Sequence, residues 1–181
     1  MSFIPLLLTL PLSLAIAVPI APGGSDEAAV RADIDAVYAP YFAVAEAPGA
    51  DSEALPETAA VPNAHFAPAL AGLVTRWREA IKEAELTAMS GYDWFCQCQD
   101  WDNRTGSYRI EHLRITAPNI TLAKVRFIHG VDDTGTPVQG SVLALEYRKA
   151  KDGTWSIADM VFEGGNSLTN ELTREIRTKG L

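Results

Sequence analysis

Cysteine and histidine are scarce in this chain: there are two Cys and three His in 181 residues. That leaves no room for the repeated, widely spaced Cys and His pairs from which structural zinc sites are built. No Ser-His-Asp order, metal-binding helix motif, phosphate loop or nucleotide-binding glycine fingerprint is present. Basic residues are outnumbered, 15 Lys and Arg against 23 Asp and Glu, and nowhere form a run. The net charge of −8 favours solubility and sets the chain against nucleic acid, whose phosphates reward clustered Lys and Arg. Neither a metal nor a cofactor is expected.

What is present is globular in kind. Hydrophobic residues make up 48% and charged residues 21%, ordinary values for a folded domain. The length suits one domain plus a targeting segment. A mature region of about 160 residues can bury roughly 68–70% of its unfolded surface, enough for a core.

The one long apolar run comes first. Phe3 to Ala17 carries no charged side chain and is interrupted by Pro5 and Pro11. About 15 apolar residues are too few for a comfortable membrane span. Ala15-Ile16-Ala17 matches the small-residue pattern that precedes signal cleavage. Residues 1–17 are therefore expected to be a signal peptide, 18–24 a short disordered lead, and 25–181 a single domain with no stable membrane span after cleavage. No Lys or Arg precedes the apolar run, a departure from the usual signal. Export, periplasmic or secreted, places the cysteines in an oxidising compartment.

The first half is helical. Ser25 can cap a helix whose first turn holds Asp26 and Glu27. Val30, Ile34, Val37, Tyr38, Tyr41 and Phe42 then recur at helical spacing, and Pro40 is expected to end or kink the helix near Ala39. Ala45 to Asn63, rich in Ala, Pro and acids, shows neither helical nor strand period and is expected to be a mobile linker or a lid. A second helix is expected from His65 to Met89, with Phe66, Leu70, Leu73, Trp77, Ile81 and Ala84 on one face.

From Gly106 the period changes to two. The parity shared by Tyr108, Ile110 and His112 passes to Leu113 and Ile115, which predicts a bulge near His112. Further strands are expected over Ile120–Ile128, Val138–Tyr147 and Trp155–Phe162, with a tight turn at Asp152-Gly153. The last strand alternates, placing Trp155, Ile157, Asp159 and Val161 on one face. A final helix, capped by Asn166 or Ser167, shows Leu168, Leu172 and Ile176 as its stripe. The order predicts an α+β fold. Its helices pack on a curved, mainly antiparallel four-stranded sheet, cone-like, closed by a C-terminal helix.

Between the halves lies the densest chemistry, Gly91 to Asp102. Cys96 and Cys98 enclose a single residue. In an extended strand their Cα atoms would lie roughly 6.6 Å apart, near the limit of disulfide geometry, so bridging requires a turn. A local disulfide, a reduced or inter-chain pair, and a redox-active or metal-binding pair with His112 and Asp100 are the alternatives. Tyr92, Asp93, Trp94, Asp100 and Trp101 surround the pair. Aromatics with carboxylates at a cone's rim can bind a small ligand, yet the same acids make good turns and the tryptophans good anchors. Asp159, if inward-facing among apolar neighbours, would have a raised pKa and could act as an acid or base. Its structural alternative is an ion pair with Arg109 or Arg126.

The run Tyr92-Asp93-Trp94-Phe95-Cys96-Gln97-Cys98-Gln99-Asp100-Trp101, with Trp155 to Met160 and Ser167-Leu168 ahead of a final helix, resembles the bacterial domain-of-unknown-function family 3828. The resemblance spans roughly Ser25 to Ile176, and the long run Ala45–Asn63 departs from it. It implies an exported protein with a cone fold like that of nuclear transport factor 2 and ketosteroid isomerase. It brings no activity, because such cones host isomerases, dehydratases and plain binding modules. The leading expectation is a non-enzymatic module binding a small ligand or an envelope protein. A lyase- or isomerase-type enzyme using Asp159, with Tyr92 or His112 as partner, and a structural or inhibitory partner protein are the alternatives.

Overall fold

The computed structural model describes residues 23–42, 63–81, 87–90, 93–98, 102 and 104–178. The expected signal segment, most of the expected linker, and Tyr92, Asp100 and Trp101 lie outside the described residues. The elements are helix α1 (Gly23–Phe42), a short 3-10 turn (Asn63–His65), helix α2 (Pro68–Ile81), strands β1 (Ser107–Ala117), β2 (Ile120–Val131), β3 (Pro137–Lys149) and β4 (Trp155–Val161), and helix α3 (Leu168–Thr178). The strands form one antiparallel sheet in the order β1-β2-β3-β4, and the fold is α+β.

Helix α1 lies on the sheet through the predicted stripe: Val30, Ile34, Val37, Tyr38 and Tyr41 are buried. Fully burying each such apolar chain contributes about 1.5–3 kcal/mol. Polar ties fix its direction. Asp26 holds the Lys149 ammonium at 2.6 Å and accepts from the Trp155 indole at 3.2 Å. Asp33 accepts from the Tyr147 hydroxyl at 2.9 Å and pairs with His65 Nδ1 at 2.8 Å. Tyr108 donates to Asp35. The helix starts two residues before Ser25 and continues through Pro40 to Phe42. Pro40 falls in the last turn, where its missing N–H forfeits one helical hydrogen bond, and Tyr41 and Phe42 pack their rings 5.8 and 5.6 Å from that of Phe127.

Helix α2 begins at Pro68, not His65. Proline suits the first helical position, and its ring drives the preceding residue out of the helical region. Ala67 is thereby kept out of the helix, and its N–H donates to the Ile157 carbonyl at 2.7 Å, while Phe66 forms a parallel bridge with Ile157. Leu70, Leu73, Val74 and Trp77 are buried. Met89 lies in a separate turn.

In the sheet, the bulge predicted near His112 is there: Ile110 pairs with Val125 and His112 with Lys124, leaving Glu111 as the extra residue. Further register shifts were not predicted, and one of them bears on Asp159. Glu146 pairs with Asp159 and Tyr147 with Ile157, so Ala158 is unpaired. One extra residue exchanges the faces. Met160 is buried with Trp155 and Ile157, while Asp159 and Val161 turn to the other face and are half-buried. The expected parity of Asp159 with Trp155 and Ile157 is thereby corrected. The helices pack on the face that carries Val125, Phe127, Leu143, Leu145, Tyr147 and Ile157, all buried. Ser167 caps α3, its hydroxyl accepting the Asn170 N–H at 3.2 Å.

Candidate functional site

Asp93 to Cys98 form a closed turn. The Asp93 N–H donates to the Cys98 carbonyl at 3.1 Å, and the Gln97 N–H donates to the Asp93 carbonyl at 2.8 Å. That turn draws the Cα atoms of Cys96 and Cys98 to 5.1 Å, and their sulfurs are bonded. The alternative metal set of Cys96, Cys98, His112 and Asp100 is not assembled, for His112 is exposed on the opposite face of the sheet. Among the described residues, no cluster of three or more His, Cys, Asp or Glu is placed to hold a metal. No helix among them is long and apolar enough to cross a membrane.

Two of the predicted ligand-binding residues face inward. Asp93 is 7% exposed. Its carboxylate accepts from the Tyr41 hydroxyl at 2.8 and 2.7 Å and from the N–H groups of Phe95 and Cys96 at 2.7 and 3.0 Å. Burial raises its pKa above the ordinary 3.8, and the Cys96 N–H, the Tyr41 hydroxyl and the Phe95 N–H pull the other way. Burial, then the Asp93 charge, pushes the Tyr41 phenol up. Trp94 is 7% exposed. Its indole N–H donates to the Met89 carbonyl at 2.7 Å, and its ring lies 5.3 Å from that of Trp77. Both residues hold the turn; neither offers a free polar group to a ligand.

Asp159 is likewise committed. Its Oδ1 accepts the N–H of Met160 at 2.9 Å and of Thr169, in the first turn of α3, at 3.1 Å. It serves as a second acceptor at that helix end. Arg109 and Arg126, its anticipated partners, bind Glu111 instead, at 3.1 and 2.6 Å.

The residue between the cysteines was not singled out, and it is half-buried. Gln97 has φ +53°, and no other described residue except glycine has a positive φ. It lines a cavity of about 530 Å³ that opens where β4 stops and β3 runs on past it. Met89, Ala88 and Phe162 give the wall its apolar part. Ser141, Asn166, Glu163, Glu171 and Arg174 give it hydroxyl, amide and charged groups. Arg174 donates to Glu171 one helical turn away. The Gln97 Nε2 is shielded from solvent and has no hydrogen-bond partner among the described residues. A buried amide nitrogen left unpaired costs about 1–3 kcal/mol.

Behind this wall, Glu175 is buried, and its two oxygens accept from the Trp77 indole at 2.6 Å and the Met89 N–H at 3.2 Å. It thus fixes Met89 against α3. No spacing in the sequence pointed to Glu175, Ser141 or Arg174. For Gln97 the signal was its position between two bonded cysteines, where the backbone must reverse. No family model matches the chain, and no curated protein matches it.

Proposed function

We propose that the chain is an exported, non-enzymatic binding module that takes a small polar ligand in the cavity beside the Cys96–Cys98 turn. Gln97 carries the reading. A non-glycine residue in the left-handed region costs roughly 1 kcal/mol, and such strain gathers at functional positions. Here it coincides with a cavity wall and with an unpaired amide nitrogen. A volume of about 530 Å³ falls within the usual range for small-molecule sites. The wall mixes amide, hydroxyl, carboxylate and guanidinium groups, which suits a compact ligand bearing donors and acceptors, and not a lipid tail. Asp159, engaged by the end of α3, gives little support to the enzyme alternative. The resemblance to family 3828 and export through residues 1–17 belong to the same proposal; they rest on the 92–101 run and on the Ala-x-Ala pattern.

Native, non-reducing mass spectrometry of protein taken from its own compartment tests this. The expected spectrum shows a chain cut after Ala17, two hydrogens light, with extra mass that leaves on denaturation and is absent from Arg174→Ala. A bare chain at every concentration would overturn the ligand proposal, and an uncut chain would overturn export.

A further inference from the structure

The face of the sheet turned away from the helices carries a charge opposite to that of the whole chain. Three rows across the strands define it: Arg109, Arg126 and Val142; His112, Lys124, Ala144 and Val161; and Arg114, Leu122, Glu146 and Asp159. Arg148 continues it beyond Glu146, and bulged Glu111 projects onto it between Arg109 and Arg126. Counting Lys and Arg against Asp and Glu, five cations face three carboxylates, a surplus of two on a chain of net −8.

The surplus is concentrated. Glu111 engages Arg109 and Arg126, and Glu146 engages Arg148. Among the described residues, Arg114 and Lys124 have no ion-pair partner, and both are exposed. Leu122 pairs with Arg114, lies two residues from Lys124 on the same strand face, and is 44% exposed. Among the described helices, only the start of α3 reaches this face, at Asp159 on its edge strand.

We propose that this face is a docking surface for an acidic protein, with Arg114 and Lys124 meeting its carboxylates around Leu122. Charge complementarity selects the partner's sign. The carboxylates interspersed on the face select its class. Glu111 and Glu146 would be pressed against the headgroups of an anionic membrane, whereas a protein surface can place its own cations opposite them. A second copy in a symmetric pair would set like charge against like.

The test measures binding of the full chain to immobilised poly-L-glutamate, and in parallel to vesicles of phosphatidylglycerol and phosphatidylethanolamine, over a salt series. Arg114→Glu with Lys124→Glu is compared with Arg76→Glu with Arg177→Glu, which changes net charge equally on two exposed helical sites. The expected result is salt-sensitive binding to polyglutamate, weakened at least about tenfold by the sheet-face pair and much less by the helical pair. Near-ultraviolet circular dichroism unchanged in both variants assigns the loss to the surface and not to unfolding. Equal losses in both variants, no binding, or preferential capture by vesicles would each overturn the proposal. None of these outcomes bears on the Gln97 cavity, which lies on the helical side of the sheet.

Discussion

The Tyr41 hydroxyl reaches across 52 positions of sequence to donate to both oxygens of the buried Asp93 carboxylate, at 2.8 and 2.7 Å. This contact joins the last turn of α1 to the turn that holds the disulfide. Asp93 also receives the N–H groups of Phe95 and Cys96, so one carboxylate organises the backbone immediately before Gln97. The geometry of the proposed cavity wall thus depends on a pair that never touches the cavity.

Removing the carboxylate should therefore be worse than removing the hydroxyl. Asp93→Ala strands three donors in the interior and is expected to cost about 3 kcal/mol or more, at 1–3 kcal/mol for each unmet group in its worst setting. Tyr41→Phe leaves the two backbone donors satisfied and is expected to cost about 1.5–3 kcal/mol, the range for a hydrogen bond to a charged group. Urea midpoints at unchanged slope measure both. Equal losses would mean that the backbone bonds to Asp93 contribute little.

The same burial sets a pH dependence. Asp93 has a folded-state pKa raised above 3.8, so the folded form holds its proton more tightly than the unfolded chain does. Its contribution is fully present below 3.8 and is lost as pH rises through the raised value. Glu111, held low by Arg126 and then Arg109, works in the opposite sense: its contribution is present above 4.5 and is lost on acidification. Because the whole chain mixes both kinds, the comparison must be with Asp93→Asn. The stability of that variant relative to the natural chain should climb as pH rises from about 3.8, as measured by urea unfolding from pH 3.5 to 8. Parallel curves would show that Asp93 titrates no differently folded than unfolded.

Much of the scaffold was legible because alternation and turn chemistry are local. The β3–β4 hairpin follows from Asp152-Gly153, with Gly153 at φ +92°, and the His112 bulge follows from a change of parity that any register count detects. The Ala158 bulge left no such trace. Ala158 is small, and Met160 is as acceptable inside as Val161, so the apolar pattern reads equally well in either register. The start of helix α2 was misplaced because Phe66 fits its stripe by spacing, although Pro68 drives Ala67 out of the helical region and so cuts the helix off from Phe66. The cavity was beyond local reasoning. Gln97, Ser141 and Arg174 come from a turn, a strand and a helix, and only packing of α3 against α2 and β4 brings them together.

Asp159 supplies an acceptor to the α3 end, and its oxygen matters more than its charge. Asp159→Ala is expected to cost about 1 kcal/mol, the usual loss for a helix-end acceptor. Asp159→Asn keeps an oxygen for the Thr169 N–H and should recover most of that, short by the few tenths that a carboxylate gains from the helix dipole. Thermal unfolding of the three proteins decides. An Asn variant as damaged as Ala would mean that the negative charge itself is required, and would return Asp159 to consideration as a titrating group.

Gln97 separates stability from binding most sharply. At φ +53° glycine is the relaxed choice, so Gln97→Gly should raise stability by about 0.5–1 kcal/mol while removing a side chain that lines the cavity. Gln97→Ala also removes the amide, without relieving the backbone, and should leave stability near or below that of the natural chain. If the amide is retained for a ligand, both variants lose the bound mass and only the glycine variant melts higher. A glycine variant that melts lower would mean that the side chain is needed for packing, and that the left-handed residue is the local consequence of closing a one-residue disulfide ring and nothing more. The natural chain keeps a side chain where the backbone favours none, and the ligand proposal is the reason offered for that cost.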